Sequence, residues 1–370
     1  MNSMLHGFTV GITADRRWDE QAALFERRGA TVVHAPAIRT LPLGSDERLR
    51  ATTEAIVHDP PDALIANTGL GIRSWFSSAE AWGLGEALQH ALSRTRIYAR
   101  GPKASGAIHS VGLEVAAKAA SERLSEAVDL ALAHLDPGQV VAMQSDGGGP
   151  SPEADRLAAA GLRVIDVPVY EWKLPIDPLP AVRLIDAVIG ARVHAITFTA
   201  AAALRNWLTI AAEQELEGPL QDALTDGRVV VGCVGPVCAE VAIAHGLDSP
   251  HLVVPTKYRI GPLVRAVSDR LSDRVIRITL DGAHLVIAGT AGTINGEAFT
   301  MTETEARLLA QLASQPNVVR SKSDLLAAAW DDQCADPHMV EVAVARLRRR
   351  LGTHGAAIAS VHRRGYVLRS

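Results

Sequence analysis

Cysteine is scarce in this chain of 370 residues: Cys233, Cys238 and Cys334 are the three present, and none forms a CxxC pair. That rules out a disulfide framework and favours small buried apolar residues in a reducing compartment over a redox or metal role. The 13 histidines show no metal-ligand spacing. There is no GxxxxGK[ST] and no GxGxxG, so the two common phosphate-cradling loops are absent. No apolar run approaches the roughly 18 residues a membrane helix needs. The opening MNSMLHGFTVGIT lacks the basic flank and apolar stretch of a signal peptide and runs straight into a strand. A cytoplasmic location, no membrane contact, no metal and no cofactor are therefore expected. Neighbouring acids such as Glu213 with Glu215, or Asp331 with Asp332, read as solvated helix faces rather than catalytic pairs.

What is present points to more than one domain. A length of 370 exceeds what one hydrophobic core usually supports, so two or three domains are expected. An apolar content of 48% is that of a globular chain. The net charge of −4 is unevenly placed. Residues 1–273 carry 25 Lys and Arg against 32 Asp and Glu, a net −7, whereas residues 274–370 carry 12 against 9, a net +3. From Arg346 to Ser370 there are seven arginines and no acid. Segregation of this kind suggests an acidic module joined to a basic one.

The acidic part alternates short β-branched runs with longer amphipathic ones. Strands are expected at Phe8–Thr13, Thr31–His34, Ala63–Ala66, Arg96–Ala99, Val140–Gln144, Arg163–Val169, Ala195–Phe198, Arg228–Val234 and Leu252–Val254. Helix patterns between them include Asp19–Arg28, Ser121–Leu135, Glu153–Ala160 and Pro236–His245. Such alternation argues for parallel sheets covered on both faces. An internal repeat sharpens this: Arg73/Arg205, Trp75/Trp207 and Arg96/Arg228 share one offset of 132 residues. Two similar α/β subdomains facing a cleft follow from it, with ligands at strand ends and helix N-termini.

After a polar helix at Pro262–Leu271 the pattern changes, and a domain boundary is expected near Asp273. Short alternating runs at Val275–Leu280, His284–Ala288 and Thr293–Asn295 predict a small antiparallel sheet. Thr302 with Glu305 is a capping box ahead of Leu308, Leu309 and Leu312. Ser321 and Asp324 open a second helix that runs to Trp330. Asp336-Pro337 opens a third, on which Val340, Val344, Leu347 and Leu351 share one face. Arg346, Arg348, Arg349 and Arg350 lie elsewhere on it, available to phosphates and guanine edges or serving only as a solvated face. Ile358–Arg369 reads as a hairpin with Gly365 at the turn and a basic tip.

Thr302-x-x-Glu305, Leu308-Leu309, Leu325-Leu326, Trp330, Val340-Glu341-Val342, the Arg346–Gly352 run and Gly365-Tyr366 together resemble the C-terminal effector domain of OmpR/PhoB-type response regulators. The resemblance covers residues 274–370 and implies a winged helix-turn-helix domain that binds double-stranded DNA. It makes Pro337–Leu351 the recognition helix and Val361–Leu368 the wing. The DNA-binding residues would be His338, Arg346, Arg348, Arg349, Arg350, His362, Arg363 and Arg364, and a homodimer on DNA is expected by analogy. His338 stands where the family has a basic residue, and His362-Arg363 replace an Arg-Gly pair, so base preference does not carry over. No receiver domain precedes it.

Residues 1–265 carry Gln21-Ala22, Phe25 and Gly29, Pro36, Val167–Tyr170, Thr197–Thr199, Cys233–Pro236 and Val254-Pro255. In that order and spacing they resemble uroporphyrinogen-III synthase, which cyclises hydroxymethylbilane with inversion of one pyrrole ring. The resemblance implies one subdomain from 1–37 and 173–265, a second inserted at 38–172, and a linker at 266–273. It also implies a small anionic ligand or tetrapyrrole in the cleft, with Tyr170 and Thr199 as the catalytic residues. Thr68, Gly69, Lys103, Ala200, Ala201, Pro236 and Val237 would bind carboxylates, largely through helix N-terminal amides. Read without the family, a tyrosine at a strand end also serves as core, and a threonine before a helix as an N-cap. Two departures weaken the catalytic reading. Ala200 stands where the enzymes have Ser, and Ser145-Asp146-Gly147-Gly148-Gly149 stands where they have Arg-Gly.

Fused in this way, the two parts resemble actinobacterial synthase-like transcriptional regulators, which implies a ligand-sensing regulator tied to nitrogen or nitrite assimilation. The alternative is an active uroporphyrinogen-III synthase carrying an extra DNA-binding domain. A constitutive DNA-binding protein with a dimerising α/β part is a third reading.

Overall fold

The computed structural model describes residues 4–42, 47–145, 151–247, 250–280, 282–330 and 336–370. Asp146–Gly149, Asp331, Asp332 and Cys334 lie outside them. The chain forms two compact units, residues 1–38 with 175–370, and residues 39–174.

The first unit opens with β1 (Thr9–Ile12), α1 (Trp18–Glu26) and β2 (Thr31–His34). The second unit follows whole. Its elements are β3 (Arg39–Pro42), α2 (Glu47–His58), β4 (Ala63–Ala66), α3 (Gly69–Ala81), α4 (Gly85–Leu92), β5 (Arg96–Ala99) and α5 (Pro102–Ser110). Then come β6 (Ala117–Lys118), α6 (Leu124–Leu132), β7 (Val140–Ser145), α7 (Pro152–Ala159), β8 (Arg163–Pro168) and β9 (Tyr170–Lys173). Its parallel sheet runs β6-β5-β4-β7-β8. Successive side chains alternate between two cores. Leu64, Ala66 and Ile97 join Trp75 on one face; Ala63, Ile65 and Tyr98 join Ala127 and Val128 on the other. A sheet covered on both faces needs apolar residues at every position, which is why these strands read as continuous apolar runs. Beside it, β3 and β9 pair antiparallel, Arg39 against Lys173.

The chain returns with α8 (Leu179–Ile189), β10 (Ala195–Phe198), α9 (Ala201–Glu213), α10 (Glu217–Thr225), β11 (Val230–Cys233), α11 (Pro236–Ala244), β12 (Leu252–Val253) and α12 (Ile260–Ser272). The sheet order is β12-β11-β10-β1-β2, again all parallel. The repeat seen in the sequence is a repeat of elements: β4 and β10, α2 and α8, and α3 and α9 each start 132 residues apart. Residues 266–273, expected as a linker, form the second half of α12 and its C-cap, Asp273. Val267, Ser268 and Leu271 are buried there, with Val267 and Leu271 in the core around Val10.

The C-terminal part begins with β13 (Ile276–Leu280), β14 (Ala283–Ala288), β15 (Ala291–Ile294) and β16 (Glu297–Thr300), an antiparallel sheet in that order. α13 (Glu303–Ala313) and α14 (Lys322–Ala329) each start in a capping box, Thr302 with Glu305 and Ser321 with Asp324. α15 (His338–Arg350) follows Pro337, and the Asp336 carboxylate accepts from His338 N at 2.8 Å. A 3-10 turn (Gly352–Ala357) leads to the hairpin of β17 (Ile358–Val361) and β18 (Gly365–Leu368). Leu308, Leu309, Leu312, Leu325, Val340, Val344, Leu347 and Leu368 fill one core. The fold is thus an α/β synthase-like pair of parallel sheets followed by a winged-helix domain. β3, β6, β9 and β16 were not anticipated; none is long enough to show a period. In the hairpin the left-handed residue at the tip is Arg363, φ 57°, and Gly365, φ 125°, opens the second strand.

Two buried polar groups test this packing. Trp75 Nε1 donates to Thr53 Oγ1 at 2.9 Å, and that hydroxyl donates to Leu49 O at 2.6 Å. At the same offset in the other subdomain Ile185 replaces Thr53, and Trp207 Nε1 is buried without a partner. Thr53→Val strands the Trp75 donor as well and is expected to cost about 1–3 kcal/mol, read as a lower urea midpoint. No shift would mean that this bond contributes nothing.

His194, just ahead of β10, accepts from Thr9 N at 3.0 Å through Nδ1 and meets Phe8 edge-on. Burial first, then Arg274 and Arg307, push its pKa from 6.5 down to about 4. As pH falls below 6.5 the unfolded chain takes up a proton that the folded protein refuses until about 4, so stability falls across that window. The wild-type urea midpoint is expected to drop further than that of His194→Asn between neutral pH and about pH 5. Equal drops would show that His194 is protonated as easily folded as unfolded.

Candidate functional site

In open parallel sheets, ligands bind beyond the carboxyl ends of the strands where the strand order reverses. In the second unit that point lies between β4 and β7. Thr68 follows β4 and caps α3, its Oγ1 accepting from Gly71 N at 3.1 Å. Thr68 N donates to Oε1 of Gln144 at 2.7 Å, and Gln144, 1% exposed, leaves its Nε2 buried without a partner. Gly69 is required here: a Cβ would fall 2.2 Å from Lys103 O and 3.3 Å from an Arg73 guanidinium nitrogen. The starts of α3 and α5 therefore meet, bringing Thr68, Gly69 and Lys103 together. Gly101 caps α5 without a side chain. Arg100 holds this corner, donating to Asn67 Oδ1 at 3.0 Å and Glu122 O at 2.9 Å. Tyr170, on β9, is 2% exposed and belongs to the core cluster of Ile72 and Trp75, its ring tilted against Trp172 at 5.6 Å.

In the first unit the order reverses between β1 and β10. Thr13 Oγ1 donates to Thr197 O at 2.9 Å, and Gln21 Nε2 donates to Thr197 Oγ1 at 2.9 Å. Half-buried Thr199 leads to Ala200, which holds the cap position of α9 in extended backbone. Ala200 is the repeat partner of Thr68 but has no oxygen to offer, so no side chain caps α9. Gly235 likewise leaves α11 uncapped before Pro236 and the exposed Val237. Two helix starts without a side-chain cap favour an anion. The Cys238 thiol, hydrogen-bonded to Cys233 and buried, has its pKa pushed well up, so it is no thiolate nucleophile. No group of side chains among the described residues is arranged to hold a metal.

On the winged helix, α15 buries Val340, Ala343, Val344 and Leu347 and turns its other side outward. Of the four arginines expected to read DNA, Arg348 is committed elsewhere: it donates to Ile358 O at 2.9 and 2.6 Å and to Ser360 Oγ at 3.0 Å, holding the hairpin to the helix. Arg350 donates to the buried carboxylate of Glu305 at 2.8 Å and so ties α15 to α13. Arg346 and Arg349 are exposed and line, with Arg350, a hollow of about 390 Å³. His338 is exposed and bonds Glu341 at 3.1 Å; Lys322 donates to the same carboxylate, at 2.5 Å, and with His338 lowers its pKa. Sequence reasoning missed Met339 and Val342, 41% and 39% exposed on the outward face with Arg346 and Arg349. Their 3-4-3 spacing was the available signal, and apolar groups there suit thymine methyls. His362, Arg363 and Arg364 are exposed at the hairpin tip.

A parallel α/β pair with open helix starts, followed by a cationic helix and wing, defines a synthase-like protein equipped to bind DNA. The family model described as uroporphyrinogen-III synthase HemD matches residues 19–265, and the chain belongs to that family. A second family, "Transcriptional regulatory protein, C terminal", matches residues 296–368. A mutant uroporphyrinogen III synthase of the extremely thermophilic bacterium Thermus thermophilus is similar at 28% identity and a TM-score of 0.59, over 72% of this chain and 99% of that one. The uncharacterized protein YjjA of Bacillus subtilis (strain 168) is 22% identical over 71% of this chain and 96% of its own length. The transcriptional regulatory protein PrrA of Mycobacterium tuberculosis is 30% identical over 33% of this chain, which spans 54% of PrrA. The chain therefore joins a synthase-like domain to an OmpR/PhoB-type DNA-binding domain.

Arg346→Ala with Arg349→Ala is expected to weaken binding to duplex DNA across sequences and to lower the salt slope by about 1 for each phosphate no longer neutralised. Arg348→Ala should instead lower the urea midpoint. Anisotropy titrations at several salt concentrations check this, and an unchanged slope in the double variant would remove α15 from the interface.

Proposed function

We propose that the protein is a transcription regulator in which the synthase-like part senses a small anionic ligand and the winged helix binds its promoter as a homodimer. The observation that carries this reading is the pair of uncapped helix starts at Ala200 and Gly235. They keep the anion-binding chemistry of the family, while the hydroxyl expected beside Thr199 is missing. Burial of Tyr170 further favours sensing over turnover. Within the first unit, the starts of α9 at Ala200 and Ala201 and of α11 at Pro236 and Val237 would take a carboxylate, Pro236 itself having no N–H to give; within the second unit, Thr68, Gly69 and Lys103 form a separate candidate anion site. Nitrogen or nitrite assimilation as the regulated process rests on the resemblance to fused regulators alone. The protein would work in the cytoplasm, and a ligand would act by favouring one of two arrangements with different DNA affinity.

Incubation of the full chain with freshly generated hydroxymethylbilane is expected to give only the type-I product of spontaneous closure. Uroporphyrinogen or small dicarboxylates added as probes should change promoter affinity by about fivefold or more. Rapid type-III product would make the chain a working synthase, and DNA affinity indifferent to every acidic probe would sink the sensing role.

A further inference from the structure

The three central strands of the first parallel sheet each have C-terminal-domain groups at their start, and two of them, β10 and β11, lead into candidate ligand groups at their end. Ahead of β1, Gly7 O accepts from Thr290 N at 3.0 Å and from Thr290 Oγ1 at 3.2 Å; beyond it stands Thr13. Ahead of β10, His194 lies 3.9 Å from the Glu303 carboxylate of α13; beyond it stand Thr199 and Ala200. Ahead of β11, the carbonyls of Gly227 and Arg228 accept from Arg274, the first of them at 2.9 Å; beyond it stands the start of α11. A four-residue strand spans about 13 Å, so docking edge and ligand edge are one strand length apart.

The docking is close, backbone against backbone at Gly7 and through side chains elsewhere. Gly7 has φ +89°, and a Cβ there would fall 2.1 Å from Ala288 O; a Cβ on Gly289 would fall 2.2 Å from Gly7 O. Arg307 adds a bond to Gly190 O at 2.9 Å and lies 3.6 Å from Glu303. Asp273, Arg274 and Val275 alone separate α12 from β13. Val275 and Ala288 pack against the core of Phe8 and Val10. Flexible linkers are solvated and make few contacts; here Arg274 is half-buried and bonded to Gly227 O, and Val275 is packed against a core.

We propose that the winged-helix domain is built into the first subdomain as one rigid body, so that a ligand at the far edge of the sheet acts on DNA through β1, β10 and β11. The ligand belongs to the sensing role above, whereas the rigid join does not, and its test needs no ligand. Hydrogen exchange on the free full-length protein should show the Thr290 amide protected roughly hundredfold or more over an unstructured chain. Arg307→Ala should speed that amide about tenfold while Leu308 and Leu312 in α13 keep their wild-type rates, the pattern of local undocking. Gly7→Ala should do the same; if it unfolds the subdomain, Arg307→Ala alone decides. An unprotected Thr290 in the wild type, or no acceleration in the folded variants, would overturn the rigid join and leave the sensing role standing.

Discussion

The pairing of β1 with β10 is the constraint on which the rest depends. Val10 lies beside Ala195, Gly11 beside Ile196 and Ile12 beside Thr197. Three buried side-chain bonds lock the pair, and all run through Thr197: it accepts from Thr13 and Gln21 and donates to Gly11 O at 3.1 Å. The partners are 176 to 186 residues apart. An insertion of that size is tolerable because closure entropy grows only with the logarithm of loop length, and because the inserted residues form a compact unit with their own core. Thr199 and Ala200 then sit at one end of those strands, and the contacts with Thr290 and Glu303 at the other.

Much of this was legible beforehand because both sheets are buried on two faces. Ala63–Ala66 and Ala195–Phe198 are apolar at all but one position, so the strands could be read without a period, and the shared offset gave the subdomain repeat. Capping boxes and the Val340–Val344–Leu347 face made the winged helix equally plain. The pairing of β3 with β9 was hidden because four residues carry no detectable alternation and their partner is more than a hundred residues away. That is also why Tyr170 looked like a strand end facing ligand; the ribbon turns its ring into a core. His194 gave no signal at all, since its role comes from what packs around it.

The arginines of α15 show how far composition carries. Seven cationic side chains without an acid in the C-terminal stretch say that nucleic acid is favoured, but not which of them reach it. Arg348 and Arg350 find carbonyls and a buried carboxylate inside the domain, where a charge without a partner would be costly. Glu305 serves both as the capping-box acid of α13 and as the partner of Arg350, so the two helices are fixed by one carboxylate. Arg346 and Arg349, one turn away on the outward face, are left for phosphate. Identical residues one or two positions apart thus divide between holding the reading surface and being it.

The repeat also gives two versions of one helix start. Thr68 and Ala200 occupy the same place in the two subdomains, yet only Thr68 satisfies its own helix. With no hydroxyl at Ala200, no side chain caps the start of α9. Under the sensing role proposed, binding would rest on the backbone, which the substitution leaves in place, whereas turnover would rest on side chains. A site with affinity and no turnover would suit reporting concentration. The edge of the same sheet on which the winged-helix domain docks would then stand about one strand's length from that site.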